Sequence, residues 1–125
     1  MLNMLNKLVS MLLVISLMLG EFGLLKGEEA LLIADGSTNT VIDVTSNGTP
    51  MVNIANPNDK GLSHNRYSDF NVNEKNLVMN NSKEAYGVSQ IGGAVIGNPT
   101  LINSGREANI ILNEVTSNRR SNVGG

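Results

Sequence analysis

Hydrophobic positions fall into two regimes along this chain. Between Leu8 and Leu19 they run almost unbroken over twelve residues, behind a single Lys7. From about residue 34 they come instead in runs of three to five, and each run closes on Asn, Gly, Ser or Pro. "TVIDV" (40–44) and "MVNIAN" (51–56) are β-branched runs with partial period-two alternation, which predicts two short strands. Between them "TSNGTP" predicts a turn, because Asn47 and Gly48 both tolerate positive φ. "NLVMNNS" (76–82), "IGGAVIGNP" (91–99) and "ANIILNEVTS" (108–117) repeat the scheme. No window in this region sustains the i, i+3, i+4 spacing of an amphipathic helix. The strands are also too short and too evenly spaced to alternate with crossover helices. The expected class is all-β.

Composition chooses between two all-β layouts. A sandwich needs strict alternation and carries more aromatic residues than the 3% found here. A parallel β-helix stacks short aliphatic strands and turns tight corners between them. The chain has nineteen Asn and 13 Gly, the residues that best accept corner conformations. An Asn amide can also bond the Asn of the next coil, about 4.8 Å away. A β-helix is therefore expected, with about four or five coils at about 20 residues each. The polar stretch 55–72, "ANPNDKGLSHNRYSDFNV", holds the only His and two of the four aromatics. It is expected to form corners and strand ends.

The start of the chain reads as an address. A basic residue before an apolar run shorter than the roughly 20 residues of a membrane span predicts a secretory signal peptide, residues 1–23. A buried core helix is the competing account. No A-x-A site follows, so the expected cut lies between residues 20 and 34. The formal net charge of -2 supplies no electrostatic draw to nucleic acid or an anionic membrane. The absence of Cys excludes disulfides, thiol chemistry and cysteine zinc sites. It also suits a chain kept unfolded across the periplasm, where a disulfide would lock a loop.

Residues 35–125 resemble the two-partner-secretion domain that opens filamentous haemagglutinins, large haemolysins and contact-dependent inhibition toxins of Gram-negative bacteria. The pieces that carry the resemblance are "NIANPNDKGLSHNRYSDFNV", "NNS", "GNPTL" and "ILNEVTS". The resemblance implies a right-handed parallel β-helix with an N-terminal cap. It further implies a partner, the periplasmic modules of a dedicated outer-membrane transporter, and a secreted or cell-surface destination reached through the periplasm. The family's "NPNL" motif falls on Asn98, Pro99, Thr100 and Leu101, with Thr100 standing in place of the motif's second Asn. A further family motif, "NPNGI", is not reached, so the chain is expected to be a truncated piece, roughly the first third to half of the domain. Contacts with host or neighbouring cells would lie in the region downstream.

Candidate residues divide accordingly. Asn98, Pro99, Thr100 and Leu101 are expected to form a rigid corner that shapes the fold and the surface read by the transporter. Pro99 fixes its own φ and pushes Asn98 into an extended conformation. Asn56, Pro57, Asn58, His64, Asn65 and Phe70 are expected to be structural, with Tyr67 and Phe70 packing where the cap meets the first coils. His64 neighbours Ser63, but a nucleophile and its base must face each other across a fold rather than adjoin in sequence. A lone His makes no zinc site, and the Asp positions lack calcium-loop spacing. "IGGAVIGNP" lacks the Lys and Ser/Thr of a phosphate loop. No metal, cofactor, nucleic acid or small-molecule substrate is expected, and no catalysis. Two alternatives remain from the residues alone: a β-helix polysaccharide-active enzyme, which would need clustered carboxylates on one face, and a non-functional remnant of a longer gene.

Overall fold

The computed structural model describes residues 31–124. The expected signal-peptide helix, residues 1–23, lies outside the described residues. Among the described residues, eight strands and one short helix succeed one another: β1 (Leu32–Ala34), β2 (Val41–Val44), β3 (Pro50–Asn53), β4 (Leu62–Phe70), β5 (Val78–Asn80), β6 (Tyr86–Ser89), β7 (Gly93–Ile96), α1 (Pro99–Ser104) and β8 (Ile110–Val115).

Parallel stacking organises two of the three sheets. β3 lies parallel to β5 with Met51 opposite Val78, and β4 lies parallel to β8 with Leu62 opposite Ile110. A parallel bridge from Val72 to Val123 continues the same stacking. β2 pairs antiparallel with β3, and β1 antiparallel with β4, so both cover the outer edge of the first rung. This is a β-helix with an N-terminal cap. The expected four or five regular coils are replaced by two stacked rungs among the described residues. The reason is local: only β4 separates β3 from its parallel partner, whereas β5, β6, β7 and α1 all intervene between β4 and β8. The longer connection is an excursion that holds the antiparallel hairpin β6–β7 and α1.

Five of the strands fall where the apolar runs predict them. The stretch 55–72 does not behave as expected: its centre is β4, at nine residues the longest strand. Its inward positions are Ser63, Asn65 and Tyr67, each 0% exposed, so burial alternates along a strand whose hydrophobicity does not. The "SNG" turn also differs in detail. Gly48 takes φ 86°, while Asn47 is not among the positive-φ residues.

The core is aliphatic, as the composition requires, with one aromatic at its centre. Leu32, Val52, Ile54, Tyr67, Leu101 and Ala108 form the buried cluster, and Leu31, Ile42, Phe70, Leu77, Met79 and Ile111 pack against it. Tyr67 and Phe70 meet edge to face with ring centroids 4.9 Å apart. Because Leu32 lies opposite Phe70 and Ala34 opposite Tyr67, this pair sits where the capping strand β1 joins the first rung.

Candidate recognition surface

The Asn98–Leu101 corner is built from the amide outward. Asn98 is fully buried and extended, φ -69° and ψ 116°, as the following proline dictates. Its Oδ1 accepts from Thr100 N–H at 3.0 Å, which makes it the N-cap of α1. Its Nδ2 donates to Ile54 O at 2.8 Å and to Asn80 O at 3.1 Å. Pro99 takes the first helical position, where its missing N–H has no intrahelical acceptor to satisfy. Leu101 is 0% exposed and plugs the core. Gly105, at φ 70°, ends the helix and donates to Leu101 O at 2.8 Å. The corner is a short capped helix whose leading residue is tied to both rungs.

Gly97 fixes the approach to this corner. A Cβ there would run into the backbone carbonyl of Glu84, so no side chain fits without moving the main chain. Beneath it, Asn80 Nδ2 donates to Asn53 Oδ1 at 2.7 Å and to Ile96 O at 2.9 Å. Asn53 and Asn80 are opposite each other in the parallel ladder. Asn-on-Asn stacking is thus present at this position, and Asn98 extends it into a three-residue spine. Where buried Asn65 lies opposite exposed Asn113 in the other ladder, the amides go elsewhere. Asn65 Oδ1 accepts from Thr40 Oγ1 at 2.7 Å and from Ala55 N at 2.8 Å, and Tyr67 Oη donates to Asn113 at 2.8 Å. Burial holds the Tyr67 phenol above its ordinary range, keeping it a donor.

The second "NP" element precedes β4. Pro57 is buried while Asn56 and Asn58 are exposed. Asn58 Oδ1 accepts from Lys60 N at 2.9 Å and Leu62 N at 3.0 Å, closing a turn that Gly61 completes at φ 82°. Asn56, Asn58, Leu62 and His64 face one open cleft together with Ser37, Thr38 and Asn39.

His64 bonds a neighbouring strand. Its Nε2 meets Glu114 Oε1 at 2.7 Å, and Arg66 Nε reaches the same oxygen at 3.2 Å. Glu114 sits opposite Arg66 on the next rung, so this array ties the two rungs on their outer face. Ser63 is no nucleophile for it: the Ser63 hydroxyl donates to Ala55 O at 2.6 Å on the inward face.

Sequence reading missed Arg106, whose Nη2 donates to Pro57 O and to Asn58 O, each at 2.9 Å. It also missed the Asn53–Asn80 pair, whereas the glycines of "IGGAVIGNP", Gly97 among them, are expected at tight bends or close coil packing. The pair left a trace, since β3 "PMVN" and β5 "VMN" both end in Val or Met followed by Asn, a repeat in step with the ladder. Arg106 left none.

Comparison with known proteins agrees with this geometry. Residues 30–125 match the family model of the TPS secretion domain. The chain is 47% identical over 89 residues to the 16S rRNA endonuclease CdiA of Enterobacter cloacae, covering 71% of this chain and 3% of that protein. It is 49% identical over 82 residues to a hemolysin of Serratia marcescens, covering 66% of this chain and 5% of that one. The crystal structure of a filamentous hemagglutinin secretion domain superposes with a TM-score of 0.67 at 42% identity, over 77% of this chain and 30% of that chain. The fold and the family match define a secretion module of the β-helix class. The chain belongs to the two-partner-secretion domain family, whose members open secreted or cell-surface proteins of Gram-negative bacteria and interact with an outer-membrane transporter.

Proposed function

We propose that this chain is the recognition and export module of a longer adhesin-type surface protein, without catalysis of its own. Residues 1–23 direct it to the periplasm, and the module beginning at residue 35 is captured by the periplasmic modules of its transporter. The observation that carries this reading is the correspondence, in fold and in 42% of aligned residues, with a hemagglutinin secretion domain. The activities in its relatives' names weigh little on this segment, which spans 3% of the endonuclease and 5% of the hemolysin. That likeness supports a second reading only for the downstream region: a toxin or hemolysin passenger in place of an adhesin that engages a host or neighbouring cell.

Capture works by strand addition, in which backbone hydrogen bonds supply affinity and side chains supply register. The Asn98–Leu101 corner serves both fold and surface. Asn98→Asp replaces a donating amide by a carboxylate facing two carbonyl oxygens, at a cost of about 3 kcal/mol. The test is binding of the purified full chain to the periplasmic modules of its transporter, measured by calorimetry. The wild-type chain binds and Asn98→Asp does not; a wild-type chain that fails to bind overturns the proposal.

A further inference from the structure

Of the nineteen Asn in the chain, only Asn47 precedes a glycine. Its side chain has two tasks. Oδ1 accepts from Thr45 Oγ1 at 2.7 Å and from Thr49 Oγ1 at 2.8 Å, which shapes the turn between β2 and β3. Nδ2 donates to Ile91 O at 2.9 Å, at the tip of the β6–β7 hairpin and 44 residues away. Thr49 Oγ1 lies 3.2 Å from the same carbonyl, but its one proton is shared with Asn47 Oδ1. The Asn47 amide is therefore the dedicated donor to Ile91 O. The approach is close: a Cβ on Gly92 would stand 2.7 Å from Thr45 Cγ2. Two turns distant in sequence are joined tip to tip.

Little else restrains that hairpin. Among the described residues it has no third strand, and a two-stranded ribbon alone is marginal in water. Tyr86, Val88 and Ile96 face outward at 65%, 80% and 72% exposure, while Val95 is buried. The stem is tied by Asn80 Nδ2, which donates to Ile96 O at 2.9 Å. Between the hairpin and β5 lies an open cleft of about 320 Å³, lined by Val78, Met79, Val88 and Val95 among others. The contact at the tip therefore decides whether the hairpin stays in place.

We propose that Asn47–Gly48 is a deamidation site, shielded while the hairpin is latched, and that conversion of Asn47 to aspartate or isoaspartate releases the latch. In this reaction the Gly48 nitrogen gives its proton to solvent base and attacks Asn47 Cγ. The N–Cγ bond forms, the Cγ–Nδ2 bond breaks, and Nδ2 leaves as ammonia with a proton from water. A second water then opens the cyclic imide at either carbonyl. Gly48 has no Cβ to crowd the attack, and both residues are exposed to the water that the second step consumes. In the closed fold the Gly48 N–H is committed to Thr45 O at 3.0 Å, and both ends of the Asn47 amide are bonded. Attack must wait for the turn to open. The product still accepts from Thr45 and Thr49 but has no N–H for Ile91 O. Its carboxylate faces that carbonyl and draws the Thr49 hydroxyl away from it. Closure protects the amide and the amide secures closure, so time spent open is written irreversibly into the chain.

The test ages the full chain at mildly alkaline pH, natively and in urea, and maps the amide-to-acid change by mass spectrometry. Asn47 converts ahead of the other Asn in urea, and about tenfold more slowly in the native chain. Conversion as fast natively as in urea would mean that the donors on Oδ1 activate the amide, and would overturn the shielding. Hydrogen exchange then reads the latch. In Asn47→Asp the amides of Tyr86–Ser89 and Gly93–Ile96 exchange about tenfold faster, while Met51–Asn53 and Val78–Asn80 keep their native rates. Unchanged exchange in the hairpin overturns the latch, and so does faster exchange throughout the fold, which marks a general loss of stability. If Asn47→Asp fails to fold, the aged native chain supplies the product. Its deamidated molecules carry an added negative charge, separate by ion exchange and are read in the same way.

Discussion

Asp35 joins the end of β1 to the residue that follows β8. One carboxylate oxygen accepts from the Ser37 N–H at 2.8 Å and the Ser37 hydroxyl at 2.6 Å, and the other accepts from Thr116 Oγ1 at 2.8 Å. The Ser37 hydroxyl and N–H, then Thr116, lower its pKa from 3.8 to about 2. A depressed carboxylate contributes stability that is complete above the unfolded value of 3.8 and is lost as pH falls through about 2. The melting temperature is therefore expected to drop between about pH 4 and pH 2 more steeply in the native chain than in Asp35→Asn. Equal slopes would assign the acid sensitivity elsewhere. The three-residue Asn spine works at the same scale: each buried amide is bonded, and no buried side-chain nitrogen or oxygen among the described residues lacks a partner.

At the scale of elements, β4 explains both what the sequence discloses and what it conceals. Strands β2, β3, β5, β7 and β8 carry aliphatic runs, and such a run is visible in the sequence whichever way it faces, as in β2 and β8, where Val44 and Ile110 are each 60% exposed. β4 hides its inward face behind Ser63 and Asn65, whose burial is supported by hydrogen bonds to Ala55, Thr40 and each other. Only the finished fold supplies those partners, so the pattern looks like a loop. β6, "YGVS", escapes because it carries no aliphatic run: Gly87 separates Tyr86 from Val88. The corner was legible because Pro99 acts on its own neighbour and needs no tertiary context. Arg106 was not, because its acceptors are backbone carbonyls that any sequence provides. Asn65→Leu tests this account of β4. It keeps the number and branching of the side-chain heavy atoms and strands the Ala55 N–H and the Thr40 hydroxyl, so a loss of about 3 kcal/mol is expected in denaturant titration. A variant as stable as the native chain would show that polarity at this position is dispensable.

On the scale of the whole molecule, the two ladders differ in reach. The β2–β3 hairpin is local, and β5 joins it after a single intervening strand. Sheet β1–β4–β8 must wait for the last strand of the fold, with the whole excursion lying between β4 and its partner. Pairings with longer loops form more slowly, since closure entropy precedes the contacts that offset it. Pulsed hydrogen exchange during refolding should protect Met51–Asn53 and Val78–Asn80 before Ile110–Val115. Simultaneous protection would mean that the rungs close in one step.

That delay gives the excursion β6–β7–α1 a role beyond geometry. Until β8 is in place, Leu62–Tyr67 of β4 keep a bare edge while the excursion folds. For that interval the edge is a vacant berth that any extended strand can pair with. Arrival of β8 then closes the edge, so the same ladder that completes the rung also withdraws it from every other strand.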